Sequence, residues 1–248
     1  MLDPHVYSRI VVLTGAGVSV GSGLRTYRGA DGVWDQGDNI RYSQASIVAI
    51  DPAGLWRHFG AIRAAANAAT PNAAHRALAE FARRLPAERR FTLITQNIDG
   101  LHQRAGSPDV IELHGSVHRT RCSNPGCALA PFEDRETYES RVPTCAACGA
   151  VLRPDIVLFG EYVPRDAMQR IQDALADCDL FVAIGTSGAV EPAASFVRAA
   201  ALAGARTLLV NLEPMDFPNP AFQEQRLGPA EALVPALFAP PSGTATGR

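Results

Sequence analysis

Four groups of residues in this 248-residue chain have the types and spacing to do chemistry. In "FTLITQNIDGLHQ" (91–103), Gln96, Asn97, Asp99 and His102 follow an apolar run at once. Burying such groups unpaired costs about 1–3 kcal/mol each, so they are either solvated in a loop or assembled around a ligand. His114 ends the run "VIEL" (110–113) and precedes a glycine. A histidine so placed takes a proton near neutral pH without large tuning. "TGAGVSVGSG" (14–23) has enough glycine to bring backbone close to a phosphate at a helix N-terminus. Gly15 and Gly17 fit the start of the dinucleotide fingerprint, but position 20 is Val and the next glycine is Gly21. A tight strand-to-helix turn is the other reading. Cys122 and Cys127 make C-x4-C, and Cys145 and Cys148 make C-x2-C. Two such pairs supply the four thiolates of a tetrahedral zinc site; the other reading is reduced cysteines without metal. Cys178 reads as a small core residue, and His75 as a packed or capping residue on a helix. His58 and His118 have no partner visible in the sequence.

These groups need elements to hold them at one place. Short apolar runs precede nearly every polar cluster: "RIVVL" (9–13), "FTLI" (91–94), "VIEL" (110–113), "DIVLF" (155–159), "DLFVAI" (179–184) and "TLLV" (207–210). Ala-rich helical segments such as "NAAHRALAEFARRL" and "DAMQRIQDALADC" separate several of them. Strands alternating with helices predict an α/β fold with a parallel sheet covered on both faces. Ligands of such sheets bind beyond the carboxyl ends of the strands, the edge at which the polar clusters fall.

Composition narrows the function classes. A net charge of −2 gives no electrostatic case for nucleic acid as a primary ligand. No apolar run approaches the roughly 18 residues of a membrane span. The start, "MLDPHVYSRIVVL", lacks the pattern of an export signal, which points to the cytoplasm, where disulfides are not expected. Residues 239–248 have the composition of a loose tail.

Taken in order, "TGAGVSVGSGLRTYRGADGVW" (14–34), "TQNIDGLHQRAG" (95–106), "ELHGS" (112–116), the cysteine pairs, "RPDIVLFGE" (153–161), "GTS" (185–187) and "NLEP" (211–214) resemble the sirtuins, NAD-dependent protein deacylases. "RGADGVW" and "NLEP" look most like the bacterial and mitochondrial branch associated with acidic acyl groups. Gly21, where relatives commonly have Glu, and Tyr27, where they commonly have Phe, depart from the pattern. The resemblance implies a Rossmann-like parallel sheet with helices on both faces, plus a small domain made of a helical module and a zinc-binding module. The expected large domain is about 1–28, 91–118 and 154–240; the expected small domain is about 35–90 (helical) and 119–153 (zinc).

The same resemblance implies roles for individual residues. Gly15, Ala16, Gly17 and Ser19 line the pyrophosphate loop, with Tyr27 and Arg28 in a cofactor loop that Trp34 closes. Gln96 and Asn97 hold the nicotinamide ribose, and Asp99 with the backbone of Ile98 binds the carboxamide. Gly185, Thr186, Ser187, Asn211, Glu213 and Ala230 serve the adenosine side. Val157, Leu158, Phe159, Gly160 and Glu161 offer an edge to an extended acyl-lysine peptide. His114 acts as the general base, with Asn97 beside it as a second catalytic residue, and zinc on Cys122, Cys127, Cys145 and Cys148 is structural. The expected products are free lysine, nicotinamide and O-acyl-ADP-ribose. Two other readings stay open: an NAD hydrolase or ADP-ribosyltransferase using the same crevice, and a non-enzymatic NAD-sensing protein.

Relatives that prefer succinyl or malonyl lysine carry Tyr-x-x-Arg ahead of "PN-x-x-H". Aligning Arg63 with that arginine puts Gly60 at the tyrosine position. The expectation is a pocket wider by one ring, with Arg63 either a loosely held carboxylate anchor or an exposed helix arginine. All 23 basic residues are arginine, so no side chain of this chain is itself an acyl-lysine site.

Overall fold

A computed structural model describes residues 2–27 and 39–240; Arg28 and Trp34, assigned to the cofactor loop, lie outside them. The strands are β1 (Arg9–Thr14), β2 (Arg90–Thr95), β3 (Val110–Glu112), β4 (Gly115–Cys122), β5 (Phe132–Glu133), β6 (Leu152–Ile156), β7 (Leu180–Ile184), β8 (Arg206–Asn211) and β9 (Glu224–Leu227). The α-helices are α1 (Asn39–Tyr42), α2 (Ile47–Ile50), α3 (Pro52–Ala68), α4 (Ala73–Arg84), α5 (Leu101–Arg104), α6 (Arg165–Ala176), α7 (Ala193–Leu202) and α8 (Ala230–Phe238).

Six strands form one parallel sheet in the order β3-β2-β1-β7-β8-β9. Successive residues of β1 point to opposite faces, as a pleated strand requires. Ile10 and Val12 pack under α4 and α8, with Leu78 and Phe81 of α4 and Val234 of α8 in the same cluster. Val11 and Leu13 pack under α6 and α7, against Ile171 and Phe196. This is the doubly wound arrangement, with its topological switch between β1 and β7.

A second sheet, β5-β4-β6, is antiparallel. The run "DIVLF", expected as a strand of the parallel sheet, contributes only its start, to β6, and pairs with β4. An apolar run of that length does not encode its partner, and here Arg153 and Asp155 interleave with the apolar residues. Helix α4, expected within the helical module at 35–90, packs on the large sheet instead, through the amphipathic face that bears Ala74, Leu78 and Phe81. Strand β9 was not legible: "EQRL" is a polar edge strand with no apolar face. Helix α3 packs on the small sheet, in an apolar cluster that joins Leu55 and Phe59 to Val117, Ile156 and Leu158. Among the described residues no helix is long and apolar enough to cross a membrane.

Candidate active site

At the switch point the first loop and the loop after β7 meet backbone to backbone. Gly15 N–H donates to Ile184 C=O and Gly17 N–H to Gly185 C=O, both at 2.9 Å. A Cβ on Gly17 would lie 2.7 Å from Gly185 Cα, and a Cβ on Gly15 would lie 2.7 Å from the Gly185 carbonyl oxygen. The two glycines are therefore required by this junction, before any ligand is considered. Residues Ala16–Ser22 then wind as a 3-10 helix, and Ser19 is buried inside the turn.

Ser19 is the hub of a directed hydrogen-bond chain. Asn72 caps α4, its side chain accepting from the backbone of Ala74 and His75, and its own N–H donates to His75 Nδ1 at 3.3 Å. That leaves the His75 proton on Nε2, 3.4 Å from Ser19 Oγ. Ser19 in turn donates to Asp99 Oδ2 at 2.7 Å and accepts from Asn97 Nδ2 at 3.1 Å. Asp99 Oδ1 accepts the N–H of Leu101 at 2.9 Å. The carboxylate is thus fixed from both oxygens by groups that can only donate to it in this arrangement. Burial pushes His75 down to about 4, against the opposing pull of Asp99. His102 lies well below the ordinary histidine value, first because it is buried and second because His75 is beside it. Its Nε2–H donates to Thr14 Oγ1 at 2.9 Å, since the Thr14 hydroxyl is itself spent on Thr95.

His114 is partly exposed, two residues beyond β3. Its Nδ1–H donates to the Gln96 carbonyl at 2.9 Å. That bond fixes the tautomer and leaves the Nε2 lone pair as the basic atom. Burial lowers its pKa, partly offset by the bond to Gln96, so the imidazole is neutral at pH 7. The Gln96 amide donates to Thr186 Oγ1 at 2.9 Å, spanning the switch point from β2 to the β7 loop. Asn97 Nδ2 also donates to Gly15 C=O at 3.1 Å. Asn211 exchanges two hydrogen bonds with the backbone of Thr186, at 3.0 and 2.9 Å. Glu213 and Ser187 are exposed beyond them, and Ala230 is buried at the start of α8. The Tyr27 hydroxyl lies 2.6 Å from Ser43 Oγ.

Two substrate expectations are corrected. Arg63 is completely buried. Its Nε donates to Val117 C=O, Nη1 to Glu136 C=O, and Nη2 to Arg119 C=O and Thr120 Oγ1, while Asp134 pairs with Nη1 at 3.3 Å. A guanidinium has five donors, and these contacts commit it to the small domain, so it is neither a carboxylate anchor nor an exposed arginine. Gly60 does not open a wider pocket: a Cβ there would lie 2.4 Å from the Thr137 carbonyl oxygen, so the chain of the zinc-side segment fills that space. Glu161 is also refined, because its carboxylate turns inward to Arg153 and the Leu158 N–H.

His75 is the capping residue its sequence position suggested, but its partner Asn72 and His118 escaped the sequence reading. The Asn72–His75 spacing is that of a capping box and was a usable signal for Asn72. His118 gave none: its Nε2–H donates to Asp99 C=O at 3.0 Å only because β4 passes beneath the 98–100 corner.

Far from the crevice, the four cysteine sulfurs lie within 4.8 Å of one another. Cys122 Sγ is 3.5 Å from Cys148 Sγ, and Cys127 Sγ is 3.6 Å from Cys145 Sγ. Thiolates about 2.3 Å from a tetrahedral zinc sit about 3.8 Å apart, so the donor set fits the metal. Backbone N–H groups of Asn124 and Leu129 donate to Cys122 and Cys127 Sγ at 3.4 Å. Metal analysis is expected to give one zinc per chain, and chelation to lower the melting temperature; much less than one zinc in carefully purified protein would refute the site.

The sequence profile described as "Sir2 family" matches residues 15–192, most of the chain. The chain belongs to the Sir2 family. An NAD-dependent protein deacylase of Thermus thermophilus is 41% identical over 94% of this Sir2 chain and 90% of its own length. NAD-dependent protein deacylase 1 of Pseudomonas aeruginosa is 39% identical over 93% of both. Among solved structures, a Sir2 homolog–NAD complex superposes with a TM-score of 0.84 at 34% identity, covering 93% of this chain and 88% of that one. A Sir2 bound to acetylated peptide superposes at 0.80 with 28% identity, covering 94% and 93%.

Proposed function

We propose that this Sir2 protein removes acyl groups from protein lysine with NAD as co-substrate. One observation supports it above the rest: Asn97, Asp99 and Ser19 form a fixed polar wall facing a histidine whose Nε2 is left basic. The fit to NAD is chemical. Close glycine backbone at the switch point admits a pyrophosphate, and the doubly anchored Asp99 carboxylate suits the carboxamide N–H of nicotinamide. NAD, when bound, would supply the glycosidic bond that breaks: the acyl oxygen would replace the departing nicotinamide on the ribose, which makes the acyl carbon electrophilic. Preorganised dipoles around that bond act with little reorganisation. His114 Nε2 would take the proton of a ribose hydroxyl as that oxygen bonds to the acyl carbon, the C–N bond to lysine then breaking to free the amine. Nicotinamide release measured with and without an acyl-lysine peptide tests this, with products read by mass spectrometry. Release independent of peptide would favour a hydrolase or ADP-ribosyltransferase, and NAD binding without turnover a sensor.

The proposal extends to a neutral acyl group. Ile98, beside the nicotinamide corner, and Leu158, on the peptide edge, belong to one apolar cluster with Phe59, Ile62 and Val117. Arg63, the cation that an acidic acyl group would need, is spent elsewhere. A carboxylate entering that cluster unpaired would lose its hydration without compensation. The expected result is kcat/KM for acetyl-lysine at least equal to that for succinyl-lysine in the same peptide. A succinyl preference above tenfold would refute it.

A further inference from the structure

The segment expected to meet the peptide, 157–161, takes its shape from an ion pair behind it. Residues Leu158–Glu161 form a tight turn in which Glu161 N–H donates to Leu158 C=O at 2.9 Å. Gly160, third in the turn, has φ +93°, the left-handed value that a type II turn requires there. The Glu161 side chain folds back across the turn, so that Leu158 N–H donates to Oε2 at 2.9 Å. Arg153, 3% exposed, grips the same carboxylate from below. Its Nη1 donates to Oε1 at 2.5 Å and its Nη2 to Oε2 at 3.0 Å, a two-pronged, charge-assisted contact. Arg153 Nη2 also donates to Ile156 C=O at 2.8 Å, and Arg121 approaches Glu161 Oε1 at 3.3 Å.

Two further residues, Val157 before the turn and Phe159 within it, tie the segment to its neighbours. Val157 N–H donates to the His114 carbonyl at 2.9 Å. Phe159 N–H donates to Ser43 C=O at 2.8 Å, and its own carbonyl accepts from Ala45 N–H at 3.0 Å. Val157 and Phe159 are thus tied to other segments by backbone, whereas Leu158 N–H is held by the Glu161 carboxylate. A strand-pairing partner gains affinity only where the receiving backbone already stands at ladder spacing.

We propose that Arg153 and Glu161 are positioning residues for substrate: the pair holds the turn so that 157–160 receives an extended acyl-lysine peptide. This rests on the deacylase reading and adds to it how the peptide is held. Because neither side chain touches the Ser19–Asp99–His114 wall, loss of the pair is expected in peptide affinity rather than in NAD affinity or chemistry.

The test is steady-state kinetics on the full chain with one acetyl-lysine peptide and NAD, for wild type, Glu161→Gln and Gly160→Ala. Glu161→Gln removes the charge Arg153 pairs with. Gly160→Ala strains the turn without touching the pair, its Cβ meeting only Ala45 Cβ at 3.8 Å. Both are expected to raise the peptide KM by about tenfold or more, with the NAD KM within twofold and kcat within about threefold. Peptide binding read by fluorescence anisotropy should weaken in parallel. A merely structural role would lower the melting temperature and leave the peptide KM unchanged below it; a peptide KM within twofold of wild type overturns the proposal. If Glu161→Gln does not fold, Glu161→Asp, which keeps the charge but withdraws it from Arg153 and Leu158 N–H, decides by the same criterion. A wild-type chain with no peptide-dependent nicotinamide release defeats the deacylase reading, and this proposal with it.

Discussion

Replacing His114 with alanine is expected to lower deacylation about 10²–10⁴-fold at saturating NAD, the usual contribution of a general base. The melting temperature should hold, since the residue is partly exposed, its side chain bonds only the Gln96 carbonyl among the described contacts, and its backbone bond to Val157 survives in alanine. The pH profile carries the sign. Only neutral His114 accepts a proton, and burial has lowered its pKa, so the acid limb of wild-type activity should lie below the ordinary histidine midpoint of about 6.5. Acid also weakens the fold. His75 is held down to about 4, so between roughly pH 6.5 and 4 the unfolded chain binds a proton that the folded chain refuses. Stability there falls with falling pH, by up to about 1.4 kcal/mol per unit for one such group. Rates must therefore be compared below the melting transition at each pH. Retention of more than about a tenth of wild-type activity by the alanine variant would refute the assigned role.

Arg63→Met is expected to damage stability rather than acyl selectivity. The side chain is buried, lies over the Trp56 ring at 5.1 Å, and joins α3 to β4 and to the segment that follows β5. Methionine keeps apolar volume but leaves Asp134 and three backbone carbonyls without this donor. Removing one partner of a buried pair typically costs about 3–5 kcal/mol. For a chain of this size that corresponds to a melting temperature lower by roughly 6–20 °C. Asp134 keeps other donors, among them the Thr120 hydroxyl at 2.7 Å and the Glu136 N–H at 3.0 Å, which argues for the lower half of the range. The ratio of succinyl to acetyl turnover should not change, because the guanidinium's donors are spent within the small domain. A variant that melts within about 2 °C of wild type, or whose succinyl turnover alone collapses, would show that Arg63 faces substrate after all.

Local chemistry made much of this protein legible from its residues. Five runs, at 9–13, 91–94, 110–113, 179–184 and 207–210, predicted strands of the parallel sheet because buried parallel strands read as unbroken apolar sequence. The polar residues after them lie at one edge because every strand of a parallel sheet ends on the same side. Zinc ligation was readable because two close pairs of cysteines are a spacing property, and the four sulfurs do converge. What one run pairs with is not a local property. "DIVLF" gave only Asp155 and Ile156 to the antiparallel sheet, opposite Ser116 and Gly115 of β4, a partner strand that its own residues do not specify. Arg63 shows the same limit at a single residue. Its spacing was compatible with a substrate anchor, but the carbonyls of Val117, Arg119 and Glu136 that claim it lie 54 to 73 positions away. His118 acquired its hold on Asp99 in the same way, by β4 crossing beneath a corner set elsewhere. Residue type and spacing determined which groups could do chemistry; the tertiary structure alone decided which of them were already taken, because a hydrogen-bond donor has a fixed number of bonds and distant backbone competes with substrate for them.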